Sequence, residues 1–360
     1  MVNKNMKSKK IIGVLLLSFL LGSFLLSACT GSGMLTGSSW PAVNADDAGT
    51  VYLAYKTEVH AIDSSNGGMI WTYPEKADNA QTFFSQPAIL GDNVIVGSYN
   101  HKLSAINKNR GSLTWTFDEA QGKYIAGILV DQEQIFAPNA DHKLYALDKD
   151  GNKLWSFETK NALWAKPVAD DTTIYLSSMD HNLYAVDRQN GTQVWATQLD
   201  AASMFSPVLV ENLLYIGTLD GSFYALNAQD GSILWSAKVD AALWSTPIVK
   251  NGKVFFGDLG GNVYAFDAET GSQIWKVAIN GSIISGAVEF TDGVVFPTEN
   301  GDLVAIDEAG VKLWTRSVTG KIMGTPIVVN DTLIFGVEGG DALLYSFDFK
   351  GNQIWDYKLK

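Results

Sequence analysis

Cysteine is almost absent from this sequence, since Cys29 is the only one among 360 residues. A single cysteine cannot form a disulfide within the chain, so non-covalent contacts alone must hold the fold together. Long apolar runs are also missing: the one at residues 11–26 is shorter than the roughly 20 residues that a membrane-spanning helix needs. We therefore expect an ordinary globular domain, with 46% hydrophobic and 18% charged residues.

Basic side chains are scarce as well. The chain has 26 lysines and arginines against 38 acidic residues. Four of the lysines lie within residues 1–28, which leaves 22 basic against 38 acidic residues and a net charge of −16 beyond them. No cluster of basic residues follows Lys10. Because nucleic-acid binding depends on clustered Lys and Arg, we expect no nucleic acid among the partners.

Catalytic motifs are missing too. The sequence shows no Ser/His/Asp arrangement, Walker loop or zinc-protease helix, and its Asp-x-x-x-Gly turns lack the oxygen spacing of a calcium loop. His101, His142 and His181 occupy the same turn in three consecutive copies of a repeat, which raises the hypothesis of a zinc site. Neighbouring sheets lie about 10 Å apart, whereas zinc needs nitrogen ligands at about 2 Å. We interpret these histidines as turn residues and predict no metal.

The N-terminal segment has the layout of a secretory signal. A basic start precedes the apolar run, which Leu26-Ser27-Ala28-Cys29 closes. The segment resembles a bacterial lipoprotein signal, and the resemblance implies cleavage after residue 28 and lipidation of Cys29. An ordinary signal peptide with an incidental thiol is the alternative.

Small and polar residues follow at 29–39 and predict a lipidated, flexible tether. In Gram-negative lipoproteins, a residue other than Asp after the lipidated cysteine implies delivery to the outer membrane, and Thr30 stands there. We therefore expect a lipid-anchored domain that faces the periplasm from the outer membrane. In a host without an outer membrane, it would lie on the outer side of the plasma membrane. Contact with the membrane is expected through the lipid anchor only.

Tryptophan recurs along the rest of the chain at steps of 39 to 44 residues. The series comprises Trp71, Trp115, Trp155, Trp195, Trp235, Trp275, Trp314 and Trp355. A fixed period near 40 in units of short strands is typical of a propeller or a solenoid, because one unit cannot bury its apolar face alone. Eight copies of one unit thus fill residues 40–360.

Residues 207–237 show what one unit contains. Apolar runs at 207–210, 213–217, 222–226 and 232–237 are separated by Glu-Asn, Asp-Gly and Gln-Asp-Gly turns. Such hairpins form an antiparallel sheet of four strands, and we predict an all-β, eight-bladed propeller. Both end units look complete, so we expect the ring to close by packing between blades 1 and 8 without an exchanged strand.

The third turn of the unit carries the most specific pattern. In five copies it reads Ala-x-Asp/Asn-x-x-x-Gly-x-x-x-Trp, as at Ala185, Asp187, Gly191 and Trp195, and three copies are one residue shorter. Glycine takes the left-handed position that ends the turn, and the tryptophan then lies on the outer strand, where its ring can fill the wedge between adjacent sheets. We assign all eight tryptophans a structural docking role.

This pattern resembles the tryptophan-docking motif of the quinoprotein (PQQ) alcohol dehydrogenases, over residues 40–357. The lipoprotein setting resembles the BamB family of outer-membrane assembly lipoproteins. The first resemblance implies an enzyme with PQQ on the propeller axis, over a tryptophan and beside calcium, under a disulfide of neighbouring cysteines. This chain lacks that disulfide, and its uniform period leaves no room for the long insertions that build the site. We therefore expect no cofactor and no enzyme activity.

One further position suggests a binding surface. Seven large apolar residues align three residues before the proline, or its equivalent, at the first strand of successive units, where they would surround one mouth of the central channel. They are Phe84, Ile125, Trp164, Met204, Trp244, Ile284 and Met323, with Phe83, Tyr124 and Phe205 as further candidates nearby. Packing between blades is the alternative role. The enlarged crossover at 71–87 is a second candidate contact loop.

From these patterns we expect a non-enzymatic scaffold that binds envelope or outer-membrane proteins, with Phe84, Trp164, Met204, Phe205, Trp244 and Met323 as candidate contact residues. Two alternatives are a PQQ-dependent quinoprotein dehydrogenase and a cell-surface propeller that senses ligands or binds carbohydrate. Fold alone does not decide between them.

Overall fold

The structure is a computed structural model, and it describes residues 39–79 and 81–359. The predicted signal at 1–28, Cys29 and nearly all of the predicted tether lie outside the described residues. Strands dominate the described part, and no helix within it is long and apolar enough to cross a membrane.

In the described part of the chain, thirty-two strands form eight sheets of four, each built from consecutive strands. Blade 1 contains β1 (Ala42–Ala45), β2 (Thr50–Tyr55), β3 (Glu58–Asp63) and β4 (Met69–Tyr73). Blade 2 contains β5 (Ala88–Leu90), β6 (Asn93–Gly97), β7 (Leu103–Asn107) and β8 (Leu113–Phe117). Blade 3 contains β9 (Leu129–Asp131), β10 (Gln134–Pro138), β11 (Lys143–Leu147) and β12 (Lys153–Glu158). Blade 4 contains β13 (Val168–Ala169), β14 (Thr173–Ser177), β15 (Asn182–Asp187) and β16 (Gln193–Gln198).

The second half repeats this arrangement. Blade 5 contains β17 (Val208–Val210), β18 (Leu213–Gly217), β19 (Ser222–Asn227) and β20 (Ile233–Lys238). Blade 6 contains β21 (Ile248–Lys250), β22 (Lys253–Gly257), β23 (Asn262–Asp267) and β24 (Gln273–Ala278). Blade 7 contains β25 (Val288–Phe290), β26 (Gly293–Pro297), β27 (Asp302–Asp307) and β28 (Lys312–Ser317). Blade 8 contains β29 (Ile327–Val329), β30 (Thr332–Gly336), β31 (Leu344–Asp348) and β32 (Gln353–Tyr357). The eight-bladed, all-β propeller predicted from the sequence is confirmed.

The hydrophobic core is divided among the interfaces between blades. Eight clusters of buried apolar residues occur, and each draws its members from two neighbouring sheets. Between blades 5 and 6, for example, Phe223 stacks on Phe256 with ring centroids 4.1 Å apart. The two middle strands of a blade are buried on both faces, which explains their nearly continuous apolar sequence. Each blade thus buries its apolar side chains against its two neighbours.

The third and fourth strands of every blade share one irregularity. In each pair the register shifts one residue after the position that faces the docking tryptophan, as between Ala225 and Leu226 opposite Trp235. Alanine occupies the facing position in seven blades, and Ser346 occupies it in blade 8. A small residue next to a bulge leaves room for the indole on the neighbouring strand.

The ring closes between blades 8 and 1 without an exchanged strand, as the sequence predicted. Strand β1 lies next to β29 and β30, and Val43 and Val51 share a buried cluster with Ile334 and Leu344. Pro41 packs against Gly336, where an added Cβ would lie 2.5 Å from the proline ring. Ser39 joins this end of the chain to the ring, because its hydroxyl accepts a 2.6 Å hydrogen bond from the Lys56 backbone N–H.

Candidate functional site

Each of the eight docking tryptophans lies on the outer strand of its blade and bonds to the next blade. The indole Nε1–H donates to a backbone carbonyl in the turn between the third and fourth strands of that neighbour, at 2.7–3.1 Å. The donor and acceptor pairs are Trp71–Lys108, Trp115–Lys149, Trp155–Arg188, Trp195–Ala228, Trp235–Ala268, Trp275–Glu308, Trp314–Phe349 and Trp355–Ser64. These residues therefore join each blade to the next.

The glycine of the same turn explains why the motif needs both residues. Gly271 has a φ of +70°. A Cβ on Gly271 would lie 2.5 Å from the Trp235 ring. The indole of one blade therefore lies on the glycine backbone of the next. Seven blades share this contact, and in blade 8 the Arg316 side chain replaces the indole against Gly351.

The turns between second and third strands contain residues in the left-handed conformation. His101, His142 and His181 have φ values of +68°, +73° and +69°, and Gly221 and Gly261 are also left-handed. Each histidine is therefore a turn residue. Within residues 39–79 and 81–359, no group of three His, Cys, Asp or Glu side chains could hold a metal ion.

The central channel of the described domain contains a cavity of about 1110 Å³. Its lining includes a group that we call the mouth ring, which consists of Phe84, Ile125, Trp164, Met204, Trp244, Ile284 and Met323. The seven residues that share one position in the sequence alignment of the units therefore line one cavity. Because side chains alternate along extended chain, the residue two positions further on also lines the channel.

We call this next set of residues the second level. It consists of Trp40, Gln86, Gly127, Lys166, Ser206, Thr246, Gly286 and Thr325. Trp40 takes the blade 1 position, and its ring lies 4.1 Å from that of Phe84 in an edge-on contact. The sequence alignment overlooked Trp40, although its place directly before Pro41 matches that of Gln86 before Pro87.

Two of the candidate contact residues line the cavity but are almost completely buried. Phe84 is 5% exposed, because its ring packs against Trp40 and stacks on Tyr99 at 5.0 Å. Phe205 is 6% exposed, although it also lines the cavity, and its ring centroid lies 6.3 Å from that of Trp244.

The further candidates Phe83 and Tyr124 directly precede the mouth-ring residues Phe84 and Ile125. Both are fully buried, and they belong to the core. Trp164, Met204, Trp244 and Met323 are only partly buried and remain at the mouth.

Charged groups near the channel are mostly paired. Asp131 accepts a 2.5 Å hydrogen bond from Arg188, a buried side chain that also bonds to Gln134 and the Asp170 carbonyl. Glu299 accepts a 2.5 Å hydrogen bond from Lys321. These pairs join neighbouring blades, and they leave Lys166 as the unpaired cation of the cavity lining.

The channel does not fit a PQQ group and its calcium ion. PQQ carries three carboxylates, whereas the lining offers one unpaired cation, Lys166. The lining carboxylates Asp131 and Glu299 are already held by Arg188 and Lys321, so they do not form a calcium site.

Eight consecutive four-stranded sheets, each joined to the next by an indole hydrogen bond, place the chain in the class of PQQ-like β-propellers. A family model described as "Outer membrane protein assembly factor BamB" matches residues 31–139, 56–206, 105–255, 179–278 and 259–360. Together these matches extend over most of the sequence, and the chain belongs to the BamB family.

Two solved structures illustrate the similarity. The crystal structure of BamB from Moraxella catarrhalis superposes with a TM-score of 0.73 at 19% sequence identity, over 87% of this chain and 94% of that one. The computationally designed Ika8 protein superposes with a TM-score of 0.74 at 13% identity, over 89% of this chain and 98% of that one. At such identities the likeness concerns the fold alone. No curated protein matches the chain in sequence.

Proposed function

We propose that this protein is a non-enzymatic scaffold of the cell envelope that binds another envelope protein at the mouth of its channel. The observation that supports the proposal is the partly buried apolar group Trp164, Met204, Trp244 and Met323 around one opening. Tryptophan and methionine are enriched in the cores of protein interfaces, where concave and desolvated sites supply most of the binding energy.

The family supports a more specific role in the assembly of outer-membrane proteins. Its description names an outer-membrane protein assembly factor. In our proposal the lipid on Cys29 holds the propeller at the membrane, and residues 30–39 let the mouth reach its partner. The chain has a net charge of −12, so a partner whose contact surface is basic around an apolar centre would associate fastest.

The proposal can be tested by site-specific photo-crosslinking in native membranes. A benzoylphenylalanine at Met204 or Met323 should capture one envelope protein. The same group at Leu234, an apolar residue that is 52% exposed on the outer strand β20, should not capture it. Capture at Leu234 alone, or at none of the three positions, would contradict binding at the mouth.

A second arm of the test compares two double variants. Trp164→Ala with Trp244→Ala should reduce co-purification of the captured protein at least tenfold, because large aromatic anchors each contribute roughly 2 kcal/mol or more. Leu234→Ala with Ile274→Ala removes exposed apolar residues elsewhere and should leave co-purification unchanged. If the mouth variant instead melts far below the control, these tryptophans are core residues and the proposed surface is wrong.

A further inference from the structure

We propose that the channel also contains a binding site for an amphiphilic monocarboxylate, whose carboxylate is held by Lys166 and whose apolar body lies against the mouth ring. The site does not rest on the proposed scaffold role, although it uses the same mouth ring, because its charged group, Lys166, lies at the second level of the channel. It would take a small molecule with one negative charge, such as a fatty acid or an aryl-alkyl carboxylate.

The first step of the argument is the position of Lys166. It lies two residues after Trp164 and one before Pro167, in the extended segment that leads into β13, and it lines the cavity. Every other member of the second level is uncharged. Lys166 therefore introduces a single positive charge into a ring of otherwise neutral residues.

The second step is that Lys166 has no partner. Within residues 39–79 and 81–359, its ammonium group makes no ion pair and no hydrogen bond to protein, although the side chain is largely buried. Burial lowers the pKa of Lys166. A buried, unpaired cation is costly, and a carboxylate would relieve that cost through a charge-assisted hydrogen bond.

The third step is the packing of the Lys166 side chain against the neighbouring blade. In blade 3 the equivalent position is Gly127, where an added Cβ would lie 3.2 Å from Cβ and 3.3 Å from Cδ of Lys166. The aliphatic stem of the lysine thus lies directly on the glycine backbone. A larger residue at position 127 would displace the stem.

The fourth step concerns the body of the ligand. A volume of about 1110 Å³ slightly exceeds the range for small-molecule sites, which is roughly 300–1,000 Å³, so the cavity has room for a ligand of that size. The same cavity lining includes the large apolar side chains Trp164, Met204 and Trp244. Trp164 also has a buried Nε1–H that has no hydrogen-bond partner among the described residues, and it supplies a second donor two residues from the lysine.

The charge of the ligand follows from these groups. The lining acids Asp131 and Glu299 are paired with Arg188 and Lys321, so Lys166 is the one cation left for a ligand. The chain as a whole has a net charge of −12, which disfavours ligands with several negative charges. A single carboxylate on an apolar body is the chemistry that matches.

The experiment uses the full chain and the fluorescent probe 11-(dansylamino)undecanoic acid, with its neutral primary amide as the matched ligand. The acid should bind saturably with enhanced dansyl emission. Lys166→Met should weaken binding of the acid at least tenfold and leave the amide unchanged, as expected when a hydrogen bond to a charged group is lost. Lys166→Arg should retain most of the affinity for the acid.

The control variant is Lys123→Met, which removes the same charge from an exposed lysine over the Tyr99 ring. It should bind the acid like the unaltered protein. Equal affinities of the Lys166→Met and Lys123→Met proteins, equal binding of acid and amide, or no saturable binding would each overturn the proposal. Lys166→Gln serves as a second variant if the Met variant fails to fold.

Discussion

The indole Nε1–H of Trp355 donates a 2.7 Å hydrogen bond to the backbone carbonyl of Ser64, which precedes it by 291 residues in the chain. This bond joins blade 8 to blade 1. At the other seven interfaces the same kind of bond joins blades that are also linked by the chain itself. The contact between blades 8 and 1 lacks that covalent link, so its side chains alone keep the ring shut.

Trp355→Phe should therefore destabilise the ring and favour opening between blades 8 and 1. The change removes the donor and leaves a buried carbonyl unsatisfied, which costs about 1–3 kcal/mol. Denaturant unfolding should show this loss, and limited proteolysis should cut first near Tyr357. Trp195→Phe is the matched control: it should cost a similar free energy without directing proteolysis to the chain ends. Identical cleavage patterns for the two variants would argue against a weak closure.

The turn glycines must adopt a left-handed conformation and must leave room for the indole of the preceding blade. These two requirements can be separated within blade 6. Gly271 and Gly252 have φ values of +70° and +71°. An added Cβ lies 2.5 Å from the Trp235 ring at Gly271, but has nothing within 4 Å at Gly252. Gly252→Ala should cost about 1–2 kcal/mol for the left-handed conformation alone. Gly271→Ala should cost roughly 1–3 kcal/mol more through overpacking. Equal losses in urea unfolding would show that the indole contact is unimportant.

Ser346→Ala should stabilise the protein. Ser346 faces Trp355 across the outer strand pair, where the other seven blades have alanine. Its hydroxyl is buried and has no hydrogen-bond partner among the described residues. Removing it should gain about 1 kcal/mol, visible as a higher urea midpoint at unchanged slope. Ala305→Ser, the reverse change in blade 7, should lose a similar amount.

His60 makes stability depend on pH. Its side chain is 3% exposed, and burial lowers its pKa from the usual 6.5 to about 4. The nearest acid is Glu58, whose carboxylate lies 3.6 Å from Nε2 and is partly exposed, so it compensates little. The ring lies 6.1 Å from that of Tyr357, at the interface between blades 8 and 1. The folded state thus requires a neutral imidazole.

Because the pKa of His60 is lower in the folded than in the unfolded state, the neutral imidazole contributes its full stabilisation above pH 6.5. This stabilisation is lost as the pH falls towards 4. The total loss should be about 3 kcal/mol. His60→Gln should remove this part of the acid dependence when urea unfolding at pH 7 and pH 4.5 is compared. His101→Asn, a change at an exposed turn histidine, should keep it. An unchanged acid loss in the His60→Gln protein would refute the assignment.

The sequence revealed the fold almost completely, because the fold is a repeated unit. The strands predicted at 207–210, 213–217, 222–226 and 232–237 lie within one or two residues of those observed in blade 5. The Trp and Gly spacing sufficed because each residue has one local requirement, a wedge to fill or a left-handed turn. The alanine of the motif has a role that spacing could not show, since it depends on a bulge that places the indole opposite it.

The candidate site was predictable in position but not in exposure. Alignment of the units found the residues of the mouth ring, yet it could not show that Trp40 and Tyr99 cover Phe84. It also passed over Lys166, because a lone lysine in the sequence resembles any surface lysine. The charge of Lys166 is unusual only in the folded propeller, where the other seven positions of the second level are neutral.

All eight indole bonds run from a blade to its successor, and the bond from Trp355 continues the series past the chain ends. The circle therefore has a direction but no structural first blade. A circular permutant that joins the native ends and opens another crossover would keep every interface. The interfaces of the ring therefore do not depend on the order in which the blades are synthesised.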